Sequence, residues 1–165
     1  MKKIVFLAVL LFFNLSLISA LDISLTKSSY YAGETLQAEI PDAFINPLTL
    51  ADIGIYEGEK VHKATAETGL VKIDNTYHYY AVLPLTAGDY FMKIHAKHYE
   101  GVVESDAEIT KLFKISSTNA SYFSVNPGAI SATSDFSITV TSYGGIQDAT
   151  VEFSEADIAP GFTEK

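Results

Sequence analysis

After residue 20, most of the chain consists of short segments in which apolar and polar residues alternate, separated by turn residues. In Thr35 to Ile40 the apolar residues Leu36, Ala38 and Ile40 occupy every second position, and Asp52 to Glu57 has the same spacing. Successive side chains of a strand point to opposite faces, so this spacing predicts strands with one buried face. A sustained 3.6-residue apolar periodicity is absent from the sequence. The pattern therefore predicts an all-β fold.

Residues 21–116 contain enough predicted strands for a complete domain. Seven or eight strands in about 95 residues is the strand density of an immunoglobulin-like β-sandwich. Tyr30 to Glu34 is predicted to be a turn, and Glu100 to Asp106 an acidic loop. The predicted strands are Leu21 to Thr26, Thr35 to Ile40, Asp52 to Glu57, Val61 to Ala66, Leu70 to Ile73, Tyr77 to Leu85, Tyr90 to Tyr99 and Ala107 to Ile115.

Residues 117–165 resemble the first part of residues 21–116. At an offset of one hundred, Phe136, Ile138 and Val140 match Leu36, Ala38 and Ile40. Ser116 to Ala120 is polar and predicts a linker between the two units. The strands predicted in the second unit are Tyr122 to Val125, Phe136 to Thr141 and, at an offset of ninety-eight from Ala51 to Glu57, Ala149 to Ser154.

The second unit contains counterparts of only three strands of the first. Three strands cannot close a two-sheet sandwich, and a partial sheet leaves open edges and an uncovered apolar face. We therefore expect a partial second immunoglobulin-like domain in a truncated chain, with further domains after Lys165. The alternative is that the second unit packs on the first domain or on a partner.

The first twenty residues have the pattern of a secretory signal peptide. Lys2 and Lys3 precede an apolar run from Ile4 to Phe13, and a more polar stretch ends in small residues at Ser19 and Ala20. This pattern predicts cleavage after Ala20 and a secreted or cell-surface protein. The alternative is an uncleaved signal anchor, in which case this segment would be the only contact with the membrane.

Charge and cysteine content narrow the classes of partner. All eleven basic residues are lysines, and removal of residues 1–20 leaves nine lysines against twenty acidic residues, a net charge of −11. Such a surface repels phosphate backbones, which argues against nucleic acid as a partner. The chain has no cysteine. A secreted eukaryotic module of this size usually carries disulfides, so their absence favours a prokaryotic envelope protein.

Two features predict sites of ligand binding or modification. The cluster Tyr77-His78-Tyr79-Tyr80 is explained best by core and cross-strand pairing. The alternative is a carbohydrate or peptide patch that uses Tyr80 and His78. Asn119-Ala120-Ser121 is a glycosylation acceptor sequence on the predicted linker, so Asn119 is a candidate glycosylation site.

Catalytic, metal and cofactor sites are not expected. His95 and His98 are three residues apart, which places them on opposite faces of a strand. His62 and His78 lie on other strands without clustered partners. The acidic residues of Glu100 to Glu108 lack the spacing of a calcium loop. The sequence therefore predicts no enzyme activity, no metal and no cofactor.

Two segments resemble macroglobulin-like and related immunoglobulin-like domains of bacterial and archaeal surface proteins. Lys27 to Leu36 is similar to the opening of these domains: a lysine, a tyrosine, a turn that ends in glycine and then an apolar strand. Leu83 to Tyr90 is similar to their penultimate-strand signature, in which Gly88 leads the turn into Tyr90. This second resemblance implies a tyrosine corner, in which the Tyr90 hydroxyl bonds to the backbone upstream.

The resemblance implies fold and location and carries no chemistry. We expect an exported structural or interaction protein of a cell surface, built from tandem immunoglobulin-like domains and without catalysis. Its partner would be a cell-envelope protein or a glycan. The alternative is a glycan- or protein-binding accessory module of a larger secreted enzyme.

Overall fold

The described part of the chain is almost entirely β-structure, which confirms the all-β prediction. The computed structural model describes residues 21–58, 61–63, 65, 67–100, 102–117 and 123–143. A short 3₁₀ helix lies at Leu50–Asp52. The strands are β1 (Ser24–Leu25), β2 (Ser29–Tyr31), β3 (Thr35–Pro41), β4 (Ile53–Glu57), β5 (Val61–Lys63), β6 (Thr68–Ile73), β7 (Thr76–Val82), β8 (Gly88–Ile94), β9 (His98–Glu100), β10 (Val103–Ser105), β11 (Ile109–Ser116), β12 (Phe123–Asn126) and β13 (Thr139–Ser142).

Two sheets contain most of the strands before residue 117. One has the order β1-β3-β7-β6 and the other the order β2-β11-β8-β4-β5. Their strands pair antiparallel, except that β2 runs parallel to β11. The hairpins β9–β10 and β12–β13 form two smaller sheets. The apolar sides of the two large sheets share one core, so these sheets form a β-sandwich.

Side chains at every second position of the facing strands make up this core. On β3, Leu36, Ala38 and Ile40 are buried while Gln37 and Glu39 are exposed, as the alternation predicts. Burial of each large apolar side chain contributes about 1.5–3 kcal/mol. The core is therefore held by packing in a chain that has no cysteine. Its other buried members are Ile23, Tyr30, Leu48, Ile53, Ile55, Tyr77, Tyr79, Ala81, Leu83, Tyr90, Met92, Ile94, Phe113 and Ile115.

The segment around Tyr30 differs from its predicted turn. Tyr30 and Tyr31 lie in β2, which pairs with the last strand of the sandwich. The buried ring of Tyr30 meets Phe113 edge-on at 5.8 Å. The tight turn comes only after Tyr31, at Gly33, whose φ of 80° is a conformation that glycine adopts without the Cβ penalty. The pairing of β2 with β11 is distant in sequence, so local residue types alone did not indicate it.

Glu34 joins this turn to the residues before β2. One of its carboxylate oxygens accepts a hydrogen bond from the Tyr31 amide at 2.8 Å, and the other pairs with the Lys27 ammonium. The Lys27 amide in turn donates to the Tyr30 hydroxyl at 3.2 Å. The motif residues therefore act together to hold the chain in place where it enters β3. They are Lys27, Tyr30, Gly33 and Glu34.

Other predicted boundaries are also wrong. The predicted strand from Tyr77 to Leu85 is too long, because β7 ends at Val82 and Leu85 is 70 % exposed. Pro84 follows the strand and has no amide to continue the ladder. The predicted strand from Tyr90 to Tyr99 ends at Ile94, and the expected acidic loop from Glu100 to Asp106 includes β10, which pairs with β9 in a hairpin.

The described residues of the second unit form an antiparallel hairpin. Val125 lies opposite Val140, whereas its counterpart Leu25 lies opposite Ala38. The register of β12–β13 is thus shifted by two residues relative to β1–β3. A two-residue shift keeps every side chain on its original face. The strand predicted at Ala149 to Ser154 lies outside the described residues.

This hairpin contacts the outer face of the four-stranded sheet. The Thr35 hydroxyl donates to the Val125 carbonyl at 2.9 Å, and the Gln37 side-chain amide donates to the Gly128 carbonyl. Gly128 is so close to Tyr80 that a Cβ added to the glycine would lie 2.6 Å from the tyrosine Cβ. The second unit therefore rests on β3 and β7 of the first.

Candidate interaction surface

A row of apolar and aromatic side chains crosses the outer face of the five-stranded sheet. Leu112 of β11 lies opposite Phe91 of β8, Phe91 lies opposite Tyr56 of β4, and Tyr56 lies opposite His62 of β5. Directly paired residues share a face of the sheet, so the four side chains form one continuous line across four strands. We call these four residues the Leu112–His62 row.

Tyr56 is the centre of this surface. Its ring meets the His62 ring edge-on at 5.2 Å and the His95 ring at 6.2 Å. The Tyr56 hydroxyl is 3.5 Å from His95 Nε2. Gly54 provides the space for the tyrosine ring, because a Cβ there would lie 2.6 Å from Tyr56 Cε2. One tyrosine thus lies between two imidazoles, that of His62 in β5 and that of His95, the residue after β8.

Charged groups lie along one side of the row. The Lys93 ammonium is 5.1 Å from the Tyr56 ring centroid and 2.8 Å from Glu108 Oε1. The other carboxylate oxygen of Glu108 is 3.2 Å from His95 Nε2. The hydrogen bond from Lys93 lowers the pKa of Glu108, and a second one from Thr110 adds to the effect. Glu108 is therefore an anion that ties the lysine and the histidine to the sheet.

The surface presents apolar groups at its centre and charges at one edge. Leu112 is 57 % exposed, Phe91 and Tyr56 are half-buried, and His62 is exposed. An exposed apolar patch with a polar rim is the usual composition of a binding face. Among the residues that the structure describes, no three histidine, aspartate or glutamate side chains are grouped so as to hold a metal ion.

A cleft of about 310 Å³ is lined by residues of both sheets near β5 and β6. Ile53, Ile55 and the ring of Tyr79 form part of its wall, together with Thr65 and Thr68. Burial raises the pKa of Tyr79 to about 12, while a hydrogen bond with Thr65 acts in the opposite direction. The hydroxyl of Tyr79 therefore stays protonated at neutral pH.

Tyr90 and Gly88 lie where the chain enters β8. The Tyr90 side chain is fully buried, and its hydroxyl donates to the Thr86 carbonyl at 3.0 Å and lies 2.7 Å from the Thr86 hydroxyl. A backbone bond from a buried tyrosine to a residue just upstream defines a tyrosine corner. The ring stacks on Phe113 with centroids 5.9 Å apart. These contacts give Tyr90 a role in the structure of the sandwich.

Tyr80 and His78 are on the outer face of the opposite, four-stranded sheet. Tyr80 is half-buried, because its ring lies on Gly69 and its Cβ faces Gly128. A Cβ on Gly69 would come within 2.3 Å of the ring, so the tyrosine ring can pack here only because residue 69 is glycine. His78 lies between Glu39 and Val71 and is also half-buried. The aromatic ring of the predicted patch thus contacts two glycines of the chain itself.

The histidines separate as predicted, with one exception. His95 is exposed, whereas His98 is 2 % exposed and its Nδ1 is 3.1 Å from the Ala96 carbonyl. The exception is that His62 and His95 share a neighbour, because both rings contact Tyr56. The turn after Glu57 could have indicated the pairing of Tyr56 with His62. The link to His95 depends on the pairing of β4 with β8, which the sequence does not indicate. Asn119 lies outside the described residues.

No family model, curated protein or solved structure matches this chain. Within the described part of the chain, no helix has the length and apolar character needed to cross a membrane.

Proposed function

We propose that this chain is an exported, non-catalytic interaction protein that binds a protein of the cell envelope through the Leu112–His62 row. The observation that carries the proposal is the continuous line of Leu112, Phe91, Tyr56 and His62 on one open sheet face. The export signal predicted in residues 1–20 supports a location outside the cell.

The strand order supports an immunoglobulin-like sandwich as the scaffold. If the strands before residue 117 other than β9 and β10 are lettered A, A′, B, C, C′, D, E, F and G in chain order, one sheet reads A-B-E-D. The other then reads A′-G-F-C-C′. Immunoglobulin domains have an ABED sheet and a GFC sheet, to which variable-type domains add C′. The proposed binding face is the outer side of the GFC sheet.

The charges and rings of the surface favour a protein over a glycan as the partner. A sugar ring stacks on an open aromatic face, yet Lys93 lies over the ring of Tyr56. Leu112 offers aliphatic surface, which fills a pocket on another protein more readily than it contacts a hydroxylated sugar. Buried aromatic and apolar anchors carry most of the affinity of protein interfaces.

The test uses fluorescently labelled residues 21–165 and the cells that produce the protein. Binding to these cells is measured before and after treatment with protease, and before and after periodate oxidation of glycans. We expect protease to remove the binding and periodate to leave it. The double variant Leu112→Ser with Phe91→Ser should bind at least about tenfold more weakly, because loss of an anchor residue commonly costs more than 1 kcal/mol.

Leu85→Ser is the matched control, since Leu85 is also an exposed leucine but lies on a turn away from the row. It should bind as the unmodified protein does. Equal binding by the double variant would remove the row from the proposal. Binding that is lost after periodate and kept after protease would support a glycan-binding module instead.

A further inference from the structure

The charges on either side of the Leu112–His62 row are balanced. Lys114 of β11 lies opposite Asp89 of β8 on one side of the row, and both are exposed. On the other side Lys93 pairs with Glu108. Charges on two proteins interact over only about 8 Å at physiological salt. A second copy of this acidic chain can therefore approach the row without meeting an excess of negative charge.

The charges of β8 are placed symmetrically about the row. Asp89 is two residues before Phe91 and Lys93 is two residues after it, so all three share the outer face. A two-fold rotation about an axis that runs along the row exchanges these two positions. When two copies pack face to face about this axis, Asp89 of each copy meets Lys93 of the other.

The strand β11 has the same arrangement. Lys114 and Thr110 lie two residues from Leu112 on opposite sides of the row, and Glu108 lies two residues beyond Thr110. The same axis brings Lys114 of one copy over Thr110 and towards Glu108 of the other. The rotation therefore brings opposite charges together on both strands while the apolar residues of the row meet at the axis.

We propose that the Leu112–His62 row is the contact of a symmetric dimer, so that the partner of this surface is a second copy of the chain. The proposal rests on the proposed function, because it names the partner of that same surface. In the dimer Phe91 packs on Phe91 and Leu112 on Leu112, and the charged pairs on both sides fix the orientation.

Reversal of two charges in separate chains tests this arrangement. Asp89→Lys and Lys93→Glu are each made in residues 21–165, and the dissociation constant of the dimer is measured by sedimentation velocity. Two pairs of like charges meet in a homodimer of either variant, which should weaken dimerisation at least about tenfold. An equimolar mixture of the variants should dimerise within about threefold of the unmodified chain, because the introduced lysine then faces the introduced glutamate.

Glu39→Lys is the matched control for the change of net charge. Glu39 is exposed on β3 of the opposite sheet, and its replacement changes the net charge by as much as Asp89→Lys does. It should dimerise as the unmodified chain does. A chain that stays monomeric at every concentration, or a mixture that dimerises no better than the separate variants, would overturn the proposal.

A second measurement leaves the charges unaltered. The chain has no cysteine, so Leu112→Cys introduces a single thiol, which the two-fold axis places beside the same thiol of the second copy. A short bismaleimide should link two copies at least about fivefold faster than it links Leu85→Cys, in which the replaced leucine is also exposed. Equal rates would count against the proposal.

The dimer and the proposed function can fail separately. If the chain is monomeric in solution, yet binds cells and loses this binding in Leu112→Ser with Phe91→Ser, the row has another envelope protein as its partner. The dimer is then wrong and the proposed function stands. If the dimer forms as expected but the labelled chain does not bind cells, the proposed function fails and the dimer stands.

Discussion

The side-chain hydroxyl of Thr35 forms hydrogen bonds with both the amide and the carbonyl of Val125, as a neighbouring strand would. The Val125 amide donates to Thr35 Oγ1 at 2.7 Å, and the same oxygen donates to the Val125 carbonyl at 2.9 Å. One side chain on the outer face of β3 thus satisfies both backbone groups of a residue in β12. The second unit is attached to the sandwich at this point.

Thr35→Val should weaken this attachment while keeping the shape of the side chain. It leaves two backbone groups of Val125 without their partner, which costs about 1–3 kcal/mol. We expect the amide of Val125 to lose at least about tenfold in hydrogen-exchange protection, while amides of β8 keep theirs. Thr35→Ser retains the hydroxyl and is the matched control. Unchanged exchange at Val125 in the valine variant would show that the hydroxyl contributes nothing to the attachment.

Tyr90 should be the most sensitive single residue of the tyrosine corner. Tyr90→Ala removes a fully buried ring that stacks on Phe113, at a cost of about 3–5 kcal/mol. Tyr90→Phe keeps the ring and loses only the bonds to Thr86, at a cost of about 1 kcal/mol. Urea unfolding of residues 21–165 measures both. Equal stability of the phenylalanine variant and the unmodified chain would mean that the hydroxyl is dispensable.

Tyr79 should make the fold less stable in strongly alkaline solution. Burial raises its pKa from the ordinary 10.0 to about 12, so the folded state holds the phenolic proton more tightly than the unfolded state. The resulting stabilisation is complete below pH 10 and is lost as the pH rises from 10 through 12. Its size is about 2–3 kcal/mol, from a shift of about two units at 1.36 kcal/mol each.

Tyr79→Phe isolates the contribution of Tyr79 to alkaline stability, because the lysines that titrate in the same pH range are present in both proteins. Denaturant melts of both proteins at pH 9 and at pH 12 give the two losses of stability. We expect the phenylalanine variant to lose less than the unmodified protein over this range. Equal losses would contradict a raised pKa at Tyr79.

Gly54→Ala should displace the ring of Tyr56 without unfolding the sheet. The added Cβ would lie 2.6 Å from Tyr56 Cε2, but the ring is at the surface and can move. The change in the free energy of unfolding should stay within about 1 kcal/mol, because alanine also restricts the unfolded chain. The ring protons of His62 and His95 should shift in NMR spectra, since both rings lie beside Tyr56. Unchanged shifts would mean that Tyr56 does not sit between them.

Strands with strict alternation were predicted well from the sequence. The buried positions of β3 and β8 follow directly from Leu36, Ile40, Tyr90 and Met92, because each strand has one face in the core. The hydroxyl of Tyr90 meets Thr86 within the same turn, so a local motif was enough to indicate that contact.

Sites that depend on which strands lie side by side were predicted poorly. The sequence leaves open whether the ring of Tyr80 packs within the protein or forms a ligand patch, and only the fold shows that Gly69 of β6 and Gly128 of the second unit approach it. Tyr56 has no distinctive sequence context, yet it lies between two histidines. Neither outcome can be derived from residue types within a few positions of the tyrosine.

The alternation of apolar and polar residues is enough to predict that this chain forms strands and which face of most of them is buried. Alternation has a period of two residues, and the hydrophobic effect acts on each strand through that local pattern. The fold is needed to see that Thr35 bonds to Val125 and that four residues form one row: Leu112, Phe91, Tyr56 and His62. Pairing between distant strands sets those relationships, because the order and register of a sheet depend on the packing of the whole core.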